Sequence, residues 1–150
     1  MQTTWIVAAD STRARILEMK GRGQPLQEME DLYNPAGREQ DHELGKDERG
    51  RFYGNIGTPR QANTADYSAS PVEHANERFA HTVAEYLDKG RNDHRYNKVV
   101  IVAAPKFLGL LRNNLNKEVK KLVEKDLAYD ISTFNERQIA EFVEDKIGLH

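Results

Sequence analysis

The sequence predicts a single α/β domain, a mixed sheet of about five strands flanked by helices. Three observations carry that reading. Val99 to Ala103 is an unbroken run of β-branched and small apolar residues, which lacks the alternation of a half-wet strand and so belongs at the covered centre of a sheet. Pro105 stops the run and opens a helix in which Phe107, Leu108, Leu111 and Leu115 recur at three- and four-residue spacing, giving half of a βαβ unit. Ser70-Pro71-Val72-Glu73 is a second helix start, with Ser70 as N-cap, Pro71 in the first turn and Glu73 closing a capping box.

The remaining elements follow in order. Trp5 to Ala9 reads as a strand, Asp10-Ser11-Thr12 as a turn in which Asp10 bonds its own backbone, and Arg13 to Met19 as the returning strand of a hairpin. Gly21-Arg22-Gly23 turns the chain into Leu26 to Leu32, an acidic strand suited to a sheet edge. From Asn34 to Ser70 there is no periodicity, so about 34–70 is expected to be a long mobile loop, with Arg51-Phe52-Tyr53 as a short strand within it. The helix from Ser70 carries Val72, Ala75, Phe79, Val83, Tyr86 and Leu87 on one stripe and is expected to end at Gly90. Beyond the central strand and its helix, Asn116 caps a further helix with Val119, Leu122 and Val123 inward; at about 100° per residue, Lys117, Lys120, Lys121 and Lys125 share the opposite side. Leu127, Tyr129 and Ile131 alternate as a strand. Thr133 and Glu136 form another capping box, opening a helix with Ile139, Phe142, Val143 and Ile147 inward and Gly148 at its end.

Composition narrows the function classes. The 150 residues suffice for one core, and 31% charged against 38% hydrophobic residues implies a substantial solvated surface. No run approaches the roughly 20 apolar residues of a membrane span and no leader pattern opens the chain, so a cytoplasmic protein is expected. Zero cysteines exclude disulfides and thiol chemistry, and a net charge of -2 argues against a globally basic DNA binder. There is no nucleophile elbow, Walker loop or dinucleotide fingerprint. His74, Glu77 and His81 share a helix face at metal-ligand spacing, but such faces are commonly just solvated; Asp10 with Asp66 or Glu73 could hold Mg²⁺ for phosphodiester cleavage, the nuclease alternative. Basic residues point elsewhere. Arg13, Arg15, Arg49, Arg51, Arg60, Lys106 and Arg112 lie in turns, in the loop or near the exit of the central strand, where guanidinium forks and helix amides hold phosphates.

Several segments together resemble a known bacterial family, the proteins required for attachment to host cells. They are Ala9-Asp10-Ser11-Thr12-Arg13-Ala14-Arg15-Ile16-Leu17, Asp31-Leu32-Tyr33-Asn34-Pro35, Glu77-Arg78-Phe79-Ala80, and Ile101-Val102-Ala103-Ala104-Pro105-Lys106-Phe107-Leu108-Gly109. That family is in turn similar to the middle domain of eukaryotic and archaeal class-1 release factors and of Pelota. The resemblance implies a release-factor middle-domain-like fold of ribonuclease H-like topology and a role in translation. Where release factors carry Gly-Gly-Gln before a long helix, this chain has Gly57-Thr58-Pro59-Arg60-Gln61. The double glycine is absent, and with it the backbone freedom for peptidyl-tRNA hydrolysis.

The expectation is a non-catalytic, cofactor-free domain that binds ribosomal RNA or tRNA through Arg13, Arg15, Arg60, Gln61, Lys106 and Arg112, with no metal. The alternative is a regulatory module that binds a protein partner, or a second copy of itself through the acidic edge strand, and affects attachment indirectly.

Overall fold

A computed structural model of the chain describes residues 2–21, 23–36 and 70–148. Among these residues nine elements follow one another: β1 (Thr3–Ala9), β2 (Arg13–Lys20), β3 (Leu26–Tyr33), α1 (Pro71–Asn92), β4 (Lys98–Ala103), α2 (Pro105–Asn114), α3 (Lys117–Leu122), β5 (Val123–Ala128) and α4 (Glu136–Ile147). The strands form one sheet in the order β3-β2-β1-β4-β5. β1, β2 and β3 are an antiparallel meander, whereas β4 and β5 run parallel to β1. The sheet is therefore mixed, as its sequence predicts.

Every side chain of β4 from Val99 to Ala103 is buried, which is why the run does not alternate. Odd-numbered Val99, Ile101 and Ala103 face the side covered by α1, α2 and α3, together with Trp5, Val7, Ala9, Ala14 and Ile16. Val100 and Val102 face the other side with Ile6, Ala8 and Leu17, under Ile131 and the α4 residues Ile139 and Val143. β4 thus supplies both cores.

Three boundaries differ from the sequence reading. Gly90 does not end α1, which continues to Asn92 and is capped by Asp93. Instead Gly90 makes room: a Cβ there would lie 2.6 Å from Cη2 of Trp5 and 3.1 Å from the Tyr96 ring. The last strand begins at Val123, directly after α3, and stops at Ala128, so of the alternating trio only Leu127 lies in it. Parallel pairing with β4 sets these limits, overriding the local alternation. The capping box of α4 is Asn135 with Gln138, two residues past the expected pair. Amide groups do the capping as well as hydroxyl and carboxylate do. The box at Ser70 and Glu73 is present as expected. Arg51-Phe52-Tyr53 and most of the long loop lie outside the described residues.

Candidate functional site at the carboxyl edge of the sheet

β1 and β4 run side by side in the same direction and end together, the Ala104 amide donating to the carbonyl of Ala9 at 3.0 Å. The chain leaves β1 toward β2 on one side, while β4 lies on the other. Open sheets bind ligands at such a change of direction, outside the carboxyl ends of the strands.

Asp10 closes the turn after β1. Its Oδ1 accepts from the amides of Thr12 and Arg13 and from the Thr12 hydroxyl, at 2.8–3.0 Å. This is the predicted self-bonded turn residue. Its Oδ2 lies 2.9 Å from Oγ of buried Ser132, which is also 2.7 Å from Oδ1 of Asp130. The segment before α4 is thereby tied to the end of β1. Because both Asp10 oxygens are occupied, the carboxylate is a poor candidate metal ligand. Among the described residues no group of three His, Asp or Glu side chains could hold a metal ion. His81, from the helical metal pattern, instead meets Asn114 and Glu85.

Around this edge lies a cleft of about 510 Å³. Asp10 and Ser11 line it from the hairpin turn, Glu73, Asn76 and Glu77 from the first turns of α1, Ala104 from the N-cap of α2 with Lys106, Phe107 and Leu110 from that helix, and Asp130 from beyond β5. Among the described residues, four carboxylates thus face one ammonium. The start of α2 adds unusual chemistry: Ala104 offers no side-chain cap and Pro105 carries no N–H. The amides of Lys106 and Phe107 are left as the orphan donors of that helix.

Of the predicted basic residues that are described, Arg13 and Arg15 meet at Glu28 and the three arginines are all paired with carboxylates. Arg13 donates to Asp31 at 3.1 and 3.2 Å and lies over the Tyr33 ring. The Asp31 hydrogen bond raises its pKa against partial burial. Burial works against ionised Asp31 in turn, yet Arg13, Glu28 and Arg15 together keep that carboxyl below its ordinary range. Arg15 is only 5% exposed and is spent on structure: it donates to both Glu28 oxygens and to the carbonyls of Ser132 and Phe134. Arg112 is paired with Asp126, whose pKa the guanidinium lowers. Lys106 lies in the acidic cleft, and Arg60 and Gln61 fall outside the described residues.

Free positive charge is found at the opposite edge. Lys117, Lys120 and Lys121 are exposed on α3, near the amino ends of β4 and β5, and among the described residues only Lys121 has a carboxylate partner, Glu118 at 3.6 Å. Sequence reasoning missed Asp130 and Ser132, which join Asp10 across about 120 residues. No local pattern announces that contact.

Residues 5–143 match the family model described as "Protein required for attachment to host cells". A curated relative, the uncharacterized protein RP470 of Rickettsia prowazekii (strain Madrid E), is 31% identical over 98 residues. That alignment covers 64% of each protein, so the match spans less than two thirds of the relative's length. No helix among the described residues is long and apolar enough to cross a membrane.

Proposed function

Because the chain belongs to the family of proteins required for attachment to host cells, we propose that it is a non-catalytic member that grips an RNA backbone in a translation context. The ribosome or tRNA is the RNA concerned, and the cytoplasm the place. The observation that supports this is the exposed lysine face of α3, where Lys117 and Lys120 have no partner among the described residues. Phosphate binding needs uncommitted cations, and Arg13, Arg15 and Arg112 are committed to carboxylates. The contact therefore moves from the expected arginines to this face, with Arg60 and Gln61 retained as further contacts to be tested. The translation context rests on the resemblance to release-factor middle domains read from the sequence.

The test is co-sedimentation with ribosomes at low and at moderate salt. Wild type should enter the ribosomal fractions at low salt and leave as salt rises. The triple variant Lys117→Gln, Lys120→Gln, Lys121→Gln should lose binding and flatten the salt dependence, by about 0.7–0.9 in logarithmic slope per lost phosphate contact. Arg60→Glu asks the same of the loop. Wild-type protein staying at the top of the gradient at both salts would reject the reading. A specific observation favours one other reading, a protein-binding module: β3 is an edge strand carrying Glu28, Glu30 and Asp31, and salt-insensitive capture of a protein without RNA would establish it.

A further inference from the structure

The cleft at the carboxyl edge has a chemistry opposite to the lysine face. A divalent ion would want three converging ligands, which the described residues do not provide, and would have no use for the apolar floor of Phe107 and Leu110. Phosphate would meet four carboxylates against Lys106 alone among the described residues. What fits both the excess negative charge and the floor is an organic cation on an apolar stem. The volume, about 510 Å³, lies within the range of pockets that enclose ligands far larger than a single ion.

Two kinds of molecule offer such a cation, a free polyamine and a lysine side chain of another protein. The start of α2 separates them. The amides of Lys106 and Phe107 have no acceptor among the described residues, and Phe107 is 2% exposed, so one of these donors sits on a buried residue at the wall of the cleft. A polyamine brings no acceptor for them. A peptide brings carbonyl oxygens beside its side chain.

We propose that this cleft docks a partner protein through a lysine flanked by apolar residues. The ammonium faces Glu73, Glu77 and Asp130, the methylene stem lies along Phe107 and Leu110, and a neighbouring peptide carbonyl accepts from the first amides of α2. Glu77 is the first-choice contact, having no hydrogen bond or ion pair among the described residues. Asp10 serves by charge alone, since its oxygens already accept within the turn.

The experiment is a titration of the full-length, isotope-labelled chain with the acetylated and amidated peptide Leu-Lys-Leu, followed by amide chemical shifts. Its controls are the same peptide with norleucine for lysine, and spermidine. Saturable shifts centred on Asn76, Lys106, Phe107 and Leu110 are expected with the lysine peptide, at least tenfold weaker with norleucine. Glu77→Gln should weaken binding about two- to fivefold, as expected for a partly exposed ion pair. Glu73→Gln should do the same with the fold intact, because glutamine also completes a capping box. No shift at about 5 mM lysine peptide, a limit near −3 kcal/mol, would overturn the proposal. So would equal binding of the norleucine peptide, or saturation by spermidine without the lysine peptide.

Discussion

The two faces of the one sheet are built differently. Against α1, α2 and α3 lies a cluster of nineteen buried residues among those described, including Trp5, which stacks on Tyr86 and meets Tyr96 at a tilt. Under α4 the corresponding cluster has eight. On the first face apolar area is sufficient to hold the helices. On the second, polar bonds help: Arg15 reaches past Ala8, its small neighbour on β1, to the carbonyls of Ser132 and Phe134, and the Glu28 amide donates to Glu136 of α4. A thin layer cannot bury enough area to fix one helix uniquely, and directional bonds supply what area does not.

The sharpest test compares large-to-small changes on the two faces. Leu87 and Ile139 are both fully buried, one in each cluster. Leu87→Ala should cost about 4 kcal/mol and Ile139→Ala about 2–3 kcal/mol, because a single covering helix can settle into the space where three interlocked helices cannot. Equal losses in urea unfolding would break the contrast. Arg15→Ala should cost about 3 kcal/mol despite removing little apolar area, since it leaves two carbonyls without their donor and Glu28 with only its 3.9 Å contact to Arg13. Adding Glu28→Leu to Arg15→Met should recover part of that loss, and a double-mutant cycle measures how much. If Arg15→Met alone were as stable as wild type, the second face would be holding by area after all.

Glycines on the first face give a prediction of opposite signs. Gly90→Ala should destabilise by about 2 kcal/mol, because the added methyl meets Trp5 and Tyr96 and overpacking outweighs the better helix propensity. Gly109 sits inside α2 with nothing within 4 Å of the position a Cβ would take. Gly109→Ala should therefore stabilise by about 0.5–1 kcal/mol. Fluorescence of Trp5, the chain's one tryptophan, reports both unfolding transitions.

This asymmetry also explains how far the sequence could be read. The central strand, the hairpin, the Ser70 helix start and the turn role of Asp10 were legible because each is set by local chemistry or by burial on both faces. Arg15 was not. In Ala14-Arg15-Ile16-Leu17 it resembles an outward polar residue, yet all four are buried, and only the distant Ser132 and Phe134 reveal that the charge is enclosed. Gly90 was misread for a related reason: glycine signals a helix end by its conformational freedom, but here it is required by the size of Trp5. The cleft was half legible. Asp10, Glu73 and Lys106 had been singled out for other chemistry, whereas Asp130 enters from a segment whose position no spacing rule fixes.

The smallest effect distinguishes the faces by pH. Tyr96 is 4% exposed on the first face, and its hydroxyl donates to the Leu87 carbonyl at 2.7 Å. Burial disfavours the phenolate and pushes the pKa up to about 12. In the unfolded chain a tyrosine titrates near 10, so the folded state binds this proton more tightly and its contribution is complete below pH ~10. As pH rises toward 12 the unfolded chain gives up the proton first, and stability falls by about 1.4 kcal/mol near pH 11. Tyr86, also packed on Trp5, is shifted upward by burial and adds in the same direction. Tyr96→Phe leaves the Leu87 carbonyl without that donor, so it should lower stability at neutral pH by about 1 kcal/mol. The variant should nonetheless lose less between pH ~9 and ~11 than wild type, and the two unfolding curves should converge as the solution becomes alkaline. Parallel curves across that range would mean that the phenol is not enclosed and that the first face is looser around Trp5 than its packing implies.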